Sequence, residues 1–335
     1  MLKNILGVSR IAAGVVLALA AAASTFAQAE LKTLPDPYKP PLEHWGQLPE
    51  GRPWGAVSAL QFDSKGNLWV FERCGANTCL NSDLNPILEF DPSGKLLTSF
   101  GGGMFVFPHG MFVDKDDNVW ATDADAKNGK GNQVFKFSPK GEILMKLGKA
   151  GVGGEGEDEF NKPSGVTVAK NGDIFVSDGH GGNSNARVVK FSKDGKFIKT
   201  WGQKGTEPGQ FGELHGIVID NQGRVLVADR GNNRIQVFDQ DGKFIAEWKQ
   251  FGIPSAFYVD KHDMLYVGEN RMNPDGARGI IVGSLKDQKP TAVIADPDQD
   301  AKARGVGSES VAVDAKGNIF GGQVDGKQVM EYVKK

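Results

Sequence analysis

The fold is decided by residues 211–241, which read FGELHGIVIDNQGRVLVADRGNNRIQVFDQD. Apolar residues alternate at 217 and 219 and again at 225 and 227, the period-two pattern of half-buried strands. Turn residues 221–223 separate these strands, residues 234–238 begin a third, and DGKFIAEW continues with a turn and a fourth. A four-stranded antiparallel meander of this length has the size of one β-propeller blade.

The same phrase recurs six times, as x-G-h-x-h-D-x-x-G-x-h-x-h-x-D with h apolar. The six copies begin WGAVSALQFD, FPHGMFVDKD, KPSGVTVAKN, ELHGIVIDNQ, IPSAFYVDKH and GSESVAVDAK. In four copies a third strand leads into a fourth, predicted to end near Phe100, Leu147, Trp201 and Trp248. In the fifth copy the third and fourth strands are predicted at 279–284 and 291–295.

The last copy stops after its third strand, at QVMEYVKK, while LEHWGQLPEG near the N-terminus resembles KTWGQKGTEPG around the third copy's fourth strand. An N-terminal strand would therefore complete the last blade and remove two open sheet edges. We predict an all-β, six-bladed β-propeller forming a single domain over residues 30–335.

Residues 1–29 have the features of a secretory signal peptide. Lys3 and Arg10 are positive, residues 11–23 are apolar, and Ala27-Gln28-Ala29 fits a cleavage site. An uncleaved anchor is the alternative, but a membrane span needs about 20 apolar residues. We expect a mature chain from Glu30 in the periplasm or outside the cell, without a membrane span. The formal net charge of −2 gives no basic footprint for nucleic acid.

The only two cysteines, Cys74 and Cys79, lie in the segment FERCGANTCL. In an oxidising compartment such a pair can close as a disulfide. Metal binding is the alternative, but no second pair or neighbouring histidine completes such a site. We favour the disulfide.

One position in each copy is chemically distinctive. It lies five residues before the aspartate, or its equivalent, that ends the first strand. Across the six copies it is occupied by Ser58, His109, Ser164, His215, Ser255 and Glu309. Equivalent positions form a ring around a propeller's channel, so two histidines and a carboxylate from alternate blades should converge. Such a set with an open fourth position is used by catalytic zinc. The alternative is that each histidine packs at a blade entrance, and we favour a metal site.

The copies resemble NHL repeats, and residues 108–238 resemble the lyase domain of peptidyl-α-hydroxyglycine α-amidating lyase. The resemblance is carried by PHGMFVD, FNKPSGVTV, RVVKFSKDGKF and ADRGNNRIQVF. It implies zinc held by three histidines from alternate blades. Glu309 stands where that family has its third histidine, so manganese or iron is also compatible.

A second ring is predicted at the ends of the second strands, where Arg73 and Arg230 stand out. Guanidinium groups beside a metal suit capture of a substrate carboxylate, and the resemblance implies that arginines at these positions contact substrate. A solvated loop arginine is the alternative for each. His180 falls where the family has a catalytic tyrosine, and Gly181 where it has a cysteine. His180 is therefore a candidate general acid or base, or else a surface loop residue.

These residues predict a metal-dependent propeller enzyme, and the resemblance implies cleavage of a C–N or C–O bond in a small molecule or peptide end that bears a carboxylate. The alternatives are a non-enzymatic scaffold for a ligand or a periplasmic protein partner, and a propeller lactonase, whose Glu, Asn and Asp ligands differ from this set. The acidic runs at 114–117 and 296–300 are candidate calcium sites. Residues 151–156 fit G-x-G-x-x-G only formally, since no helix follows.

Overall fold

The computed structural model describes residues 31, 33–269, 279–296 and 308–335. These residues form six antiparallel sheets of four strands each, and the inner strands of neighbouring sheets contact one another all the way around a ring. The prediction of an all-β, six-bladed propeller is confirmed. The predicted signal peptide lies outside the described residues. Within the described part, no helix is long and apolar enough to cross a membrane.

Each blade runs outward from the channel through four strands. The inner strands are β2 (Val57–Phe62), β6 (Pro108–Val113), β10 (Pro163–Val168), β14 (Leu214–Ile219), β18 (Ala256–Val259) and β22 (Ser308–Val313). The second strands are β3 (Leu68–Glu72), β7 (Val119–Lys127), β11 (Ile174–Asp178), β15 (Val225–Asp229), β19 (Met264–Gly268) and β23 (Ile319–Gln323). The third strands are β4 (Ile87–Phe90), β8 (Lys130–Phe137), β12 (Arg187–Phe191), β16 (Arg234–Phe238), β20 (Gly279–Ser284) and β24 (Gln328–Tyr332). The outer strands are β1 (Leu42–Trp45), β5 (Leu96–Phe100), β9 (Ile143–Leu147), β13 (Phe197–Trp201), β17 (Phe244–Trp248) and β21 (Lys289–Ala295), and one turn of 3₁₀-helix, Arg230–Asn232, follows β15.

The ring is closed by β1, which pairs antiparallel with β24 and completes the sixth blade. The Trp45 ring lies 5.0 Å from the ring of Phe320 in that blade and 5.7 Å from the ring of Phe90 in the first blade. The predicted N-terminal closing strand is therefore confirmed, and its tryptophan packs across the junction between the two ends of the chain.

The hydrophobic core is divided into six clusters, one between each pair of neighbouring blades. Phe71 of the first blade, for example, packs with Phe135 and Phe137 of the second. Each blade is sandwiched between two others, so its second and third strands are apolar on both faces. This explains why runs such as VLVAD in β15 are buried at every residue.

The aspartate of the repeated phrase shapes the turn between the first two strands. In Asp63, Asp114, Asp220, Asp260 and Asp314 one carboxylate oxygen accepts the backbone N–H groups two and four residues later. Asp114, in one predicted calcium run, also accepts from the Trp120 indole and lies 3.3 Å from the Lys136 ammonium. Internal donors thus explain this carboxylate without calcium. Most of the other run, residues 297–300, lies outside the described residues.

A buried acid in the second strand, or directly after it, fixes the segment that leads into the first strand of the same blade. Asp123, for instance, accepts the backbone N–H groups of Val106 and Phe107, just before β6. The same contact is made by Glu72, Asp178, Asp229 and Glu269 to the N–H groups of Gly55, Asn161, Gly212 and Ile253. In these five blades the start of the inner strand, where the ring residue lies, is therefore held in place by its own blade.

Candidate metal centre

The six ring positions meet around one cavity of about 200 Å³ in the central channel. It is lined at one end by Ser58, His109, Ser164, His215, Ser255 and Glu309, and beyond them by apolar side chains of the inner strands. His109, His215 and Glu309 are each at most 4% exposed. Their equivalent positions in the repeats predict that they meet at the channel axis, and the structure brings them together there.

A backbone carbonyl of the next blade orients each ring histidine. Nδ1 of His109 lies 2.7 Å from the carbonyl oxygen of Ser164, and Nδ1 of His215 lies 2.7 Å from that of Ser255. A carbonyl oxygen only accepts hydrogen bonds, so Nδ1 must carry the proton in both rings. The lone pair of each neutral imidazole is then on Nε2, which is the usual way in which a protein prepares a histidine for metal.

The Nε2 atoms and the carboxylate of Glu309 face one another. Oε1 of Glu309 lies 3.0 Å from Nε2 of His215 and 3.9 Å from Nε2 of His109. Both Nε2 atoms and Oε2 of Glu309 are buried without a hydrogen-bond partner. With the proton on Nδ1, neutral His215 has none to give Glu309, so two electron-rich atoms lie in contact. A cation between them would remove this conflict.

Burial determines the protonation states at the centre. It lowers the pKa of His109 well below the ordinary histidine value, and the nearby His180 lowers it further. Burial also lowers the pKa of His215, and the Arg230 guanidinium adds to the effect. Burial alone would raise the pKa of Glu309, but its charged surroundings, which include the Arg230 guanidinium, hold that pKa well below its usual range. At neutral pH the centre is therefore two neutral imidazoles and one carboxylate.

His180 reaches the same centre from the loop after β11. Its ring centroid lies 4.4 Å from that of His109 and 5.3 Å from that of His215. One nitrogen of each of the three rings lies within 4.8 Å of the others. Burial, with the nearby His215, lowers the pKa of His180 to about 3. His180 is thus part of the centre and not a solvated loop residue. The other two histidines lie elsewhere, His44 in β1 and His262 in the β18–β19 turn.

Arg230 is buried beside the histidines. Its Nη2 lies 2.7 Å from Oε1 of Glu213 and 3.3 Å from Nε2 of His180, and its Nη1 lies 3.5 Å from Oε2 of Glu309. The 3₁₀ turn that begins at Arg230 directs this side chain toward the channel axis.

Arg73 is buried on the opposite side of the channel mouth. Its guanidinium carbon lies 3.7 Å from the centroid of the Phe107 ring. Its Nε donates to the carbonyl of Pro108 at 2.9 Å, and its Nη1 donates to Asn77 at 2.6 Å. Burial lowers the pKa of Arg73 to about 10, and the positive charge of Arg230 contributes to this. The two guanidinium groups are thus within electrostatic range of each other.

The sequence reading missed Glu213, Phe107 and Asn77. Glu213 and Phe107 each precede a ring histidine by two residues, so period-two alternation directs them to the same side of the chain as His215 and His109. That spacing could have identified both. Asn77 lies inside the loop closed by Cys74 and Cys79, whose predicted disulfide is confirmed. Nothing in the sequence indicated that this loop would support Arg73.

Comparison with known proteins identifies the repeats. The NHL repeat family matches residues 160–191 and 211–238. These two segments, in the third and fourth blades, are NHL repeats. The chain is also similar to curated proteins over longer stretches than these two segments. Some of those proteins are named as enzymes.

Peptidyl-alpha-hydroxyglycine alpha-amidating lyase 1 of Drosophila melanogaster is 39% identical over 168 residues, which cover 44% of this chain and 29% of the fly protein. A probable peptidyl-alpha-hydroxyglycine alpha-amidating lyase of Caenorhabditis elegans is 33% identical over 196 residues, 53% of this chain and 54% of the worm protein. The chain therefore matches less than a third of the length of the fly protein and about half of the length of the worm protein. A gluconolactonase structure from Xanthomonas campestris superposes with a TM-score of 0.57 over 90% of this chain and 99% of that chain, at 13% identity. At that identity the likeness concerns the fold alone.

Proposed function

We propose that the protein is an exported, metal-dependent lyase that cleaves a C–N or C–O bond in a substrate bearing a carboxylate. The observation that carries the proposal is the set of buried, unpartnered atoms at the channel axis: Nε2 of His109, Nε2 of His215 and Oε2 of Glu309. Leaving such groups unpaired costs about 1–3 kcal/mol each, and a divalent cation would satisfy all three. The similarity to amidating lyases supports the choice of reaction class.

The donor set fits a divalent ion of the zinc, manganese or iron type. Imidazole suits zinc and iron, and a carboxylate also admits manganese. A bound ion would polarise an oxygen of the substrate as a Lewis acid. The chain's own contribution is to hold the imidazoles through the carbonyls of Ser164 and Ser255, and to exclude bulk water from the three donor atoms.

Arg73 and Arg230 are the proposed carboxylate-binding groups. Two guanidinium groups and a divalent ion carry four positive charges, against two negative charges on Glu213 and Glu309, so the centre has an excess that an anion would neutralise. Stacking on Phe107 and the bond to Asn77 hold Arg73 in one orientation. Glu213 does the same for Arg230. Such fixed guanidinium groups bind a carboxylate with a smaller loss of side-chain entropy.

The relatives' names describe an α-hydroxyglycine amide as the substrate type, and cleavage of such a substrate would begin at its hydroxyl group. The hydroxyl group loses its proton, and its electron pair forms the new carbonyl of glyoxylate. The C–N bond breaks with its pair on nitrogen, and that nitrogen takes up a proton to give the amide. The substrate carboxylate is retained in glyoxylate, so the arginines can hold it throughout.

Elemental analysis of the purified mature protein tests the proposal, with wild type beside His215→Ala and beside the control His262→Ala. We expect close to one divalent ion per chain in wild type and in the control, and little in His215→Ala. Wild type grown with added metals but containing none would overturn the proposal. Release of glyoxylate from an N-acyl-α-hydroxyglycine tests the reaction separately. A metal-loaded protein that releases none leaves the metal centre but removes the lyase assignment.

Export is a second part of the proposal. The disulfide between Cys74 and Cys79 is typical of an oxidising compartment, and residues 1–29 have signal-peptide features. The intact mass of protein recovered from the periplasmic fraction should correspond to a chain starting at Glu30. Protein found only in the cytoplasm with its full N-terminus would contradict export.

A further inference from the structure

His180 lies closer to the centre than a residue that only contacts substrate needs to. Its ring is nearer to His109, at 4.4 Å between centroids, than His109 is to His215, at 4.5 Å. One nitrogen from each ring lies within 4.8 Å of the other two. No hydrogen bond joins any two of these rings in the described part of the chain. Three imidazole rings therefore meet without a proton shared between them.

The backbone fixes His180 in this position. The N–H groups of Gly179 and His180 both donate to the carbonyl of Lys162, each at 3.0 Å. The side chain is 21% exposed and lies beside Phe107, with 6.0 Å between the ring centroids. It thus lies at the same end of the channel as His109 and His215, with its ring next to both of theirs.

We infer that His180 is a fourth protein ligand, so that His109, His180, His215 and Glu309 together hold one divalent ion. The inference rests on the metal of the proposed function and deepens it. Two donor atoms that are each ~2.1 Å from one ion lie ~3 Å from each other when the angle at the ion is a right angle. They lie ~4.2 Å from each other when they are on opposite sides of the ion. The contacts of Glu309, at 3.0 and 3.9 Å, fall in this range. The three ring nitrogens, within 4.8 Å, need only a small movement inward.

A fourth protein ligand changes which ion suits a catalytic site. Zinc in proteins is almost always four-coordinate when the site is structural, and its catalytic sites keep one position for substrate. Three histidines and a glutamate would fill a tetrahedron and leave zinc closed. Manganese(II) and iron(II) accept six ligands, so the same four donors leave two positions open. The working ion is therefore manganese(II) or iron(II).

The competing role for His180 is proton transfer. Nε2 of His180 lies 3.3 Å from Nη2 of Arg230 and 3.9 Å from Oε1 of Glu213, so it has polar neighbours besides the ligand set. A histidine with that role would leave the ion bound when it is replaced. A ligand would not, and this difference does not depend on measuring activity.

X-ray absorption of the manganese(II)-loaded protein counts the imidazole ligands directly. We expect three in wild type and in the control His262→Ala, and two in His180→Ala and His180→Tyr. The tyrosine variant keeps a ring at this position and guards against a collapsed loop. The dissociation constant for manganese(II) should rise at least ~10-fold in both His180 variants, the lower end of what even outer-shell changes cost a metal site.

The outcomes separate this inference from the proposed function. Two imidazoles in wild type, with unchanged affinity in His180→Ala, would overturn the fourth ligand and leave the metal centre intact. No metal bound by wild type would overturn both. A purified enzyme that contains zinc and is fully active with it would overturn the assignment of a six-coordinate ion. Since the wild-type count alone decides the first point, a variant that fails to fold does not prevent the test.

Discussion

His109 and His215 are each fixed by the backbone of the neighbouring blade and not by a side chain. The carbonyl of Ser164 holds one and the carbonyl of Ser255 holds the other. Alternate blades therefore have different roles in the ring. Three blades present candidate ligand side chains, and backbone carbonyls of the blades between them orient two imidazoles. A small residue at the serine positions leaves room for the rings.

This arrangement predicts that Ser164→Ala keeps the metal. The substitution retains the carbonyl that accepts from His109 and removes only the hydroxyl, which donates to the carbonyl of His215 at 2.9 Å. We expect unchanged metal content and a loss of about 1 kcal/mol in the free energy of unfolding. Elemental analysis and urea denaturation check both. Loss of metal in Ser164→Ala would show that the hydroxyl itself belongs to the site.

Asp123 makes the stability of the fold depend on pH. Burial raises the pKa of its carboxyl from 3.8 to about 7, although the N–H groups of Phe107 and Val106 partly oppose this. Between these two pH values the folded protein keeps a proton that the unfolded chain has released, so this group's contribution to stability falls as pH rises from about 4 to 7. The difference between pH 5 and pH 8 is on the order of 2 kcal/mol.

Asp123→Asn tests that sign. Asparagine cannot ionise, and its amide keeps one acceptor for the two N–H groups, so it resembles the protonated aspartic acid. Urea denaturation should find the variant less stable than wild type at pH 5, and the deficit should shrink or reverse at pH 8. An equal deficit at both pH values would show that Asp123 is ionised throughout.

At the scale of elements, the disulfide loop acts as a support for Arg73. The loop runs from Cys74 to Cys79 directly after Arg73, and Asn77 inside it accepts from the guanidinium. Both cysteines are buried. A loop so short costs little entropy to close, so its disulfide stabilises the whole fold by only about 2 kcal/mol. Its larger effect should be local.

Two variants distinguish the local effect from the global one. Cys74→Ser/Cys79→Ser should lower the melting temperature by several degrees and raise KM for a carboxylate substrate. Asn77→Ala keeps the disulfide and should raise KM with the melting temperature nearly unchanged, since only the bond to Arg73 is lost. Thermal unfolding and steady-state kinetics give both readouts. An unchanged KM in both variants would mean that the loop does not position Arg73 for substrate.

At the scale of the whole molecule, the junction between the two ends of the chain is the point at which the ring can open. The cluster between the sixth and first blades joins Ala312, Phe320 and Val329 to apolar residues of the first blade, and Trp45 of β1 packs against it. Every other junction is between blades that follow one another in sequence. The stability of the ring should therefore be sensitive to Trp45.

Trp45→Ala should lower the free energy of unfolding by roughly 2–3 kcal/mol, below the usual cost of a fully buried tryptophan because Trp45 is only half-buried. Leu42→Ala is the matched control, since Leu42 lies in the same strand and is 57% exposed. Its effect should be close to zero. Denaturation of the two variants side by side checks this, and equal losses would argue against a specific role for the tryptophan at the junction.

The sequence alone determined the architecture, because the fold is a repeat. Alternation in each copy fixes strands, the aspartate and glycine of the phrase fix turns, and six copies with a displaced strand admit one closed arrangement. The predicted fourth strands end where the structure ends them, at Phe100, Leu147, Trp201 and Trp248. Register also places His109, His215 and Glu309 in one ring, since equivalent positions of a repeat occupy equivalent positions around its axis.

Only the tertiary structure decided which contacts hold the residues of the centre and how far apart they lie. His180 and Asn77 lie in loops, and a loop's course is set by contacts from other blades that no repeat pattern encodes. The tautomers of His109 and His215 depend on carbonyls 55 and 40 residues away in sequence. Their unpartnered Nε2 atoms, and the approach of His180 to them, follow from side-chain directions at the axis. Periodicity specifies which residues face the channel, whereas the distances between them come from the closed ring.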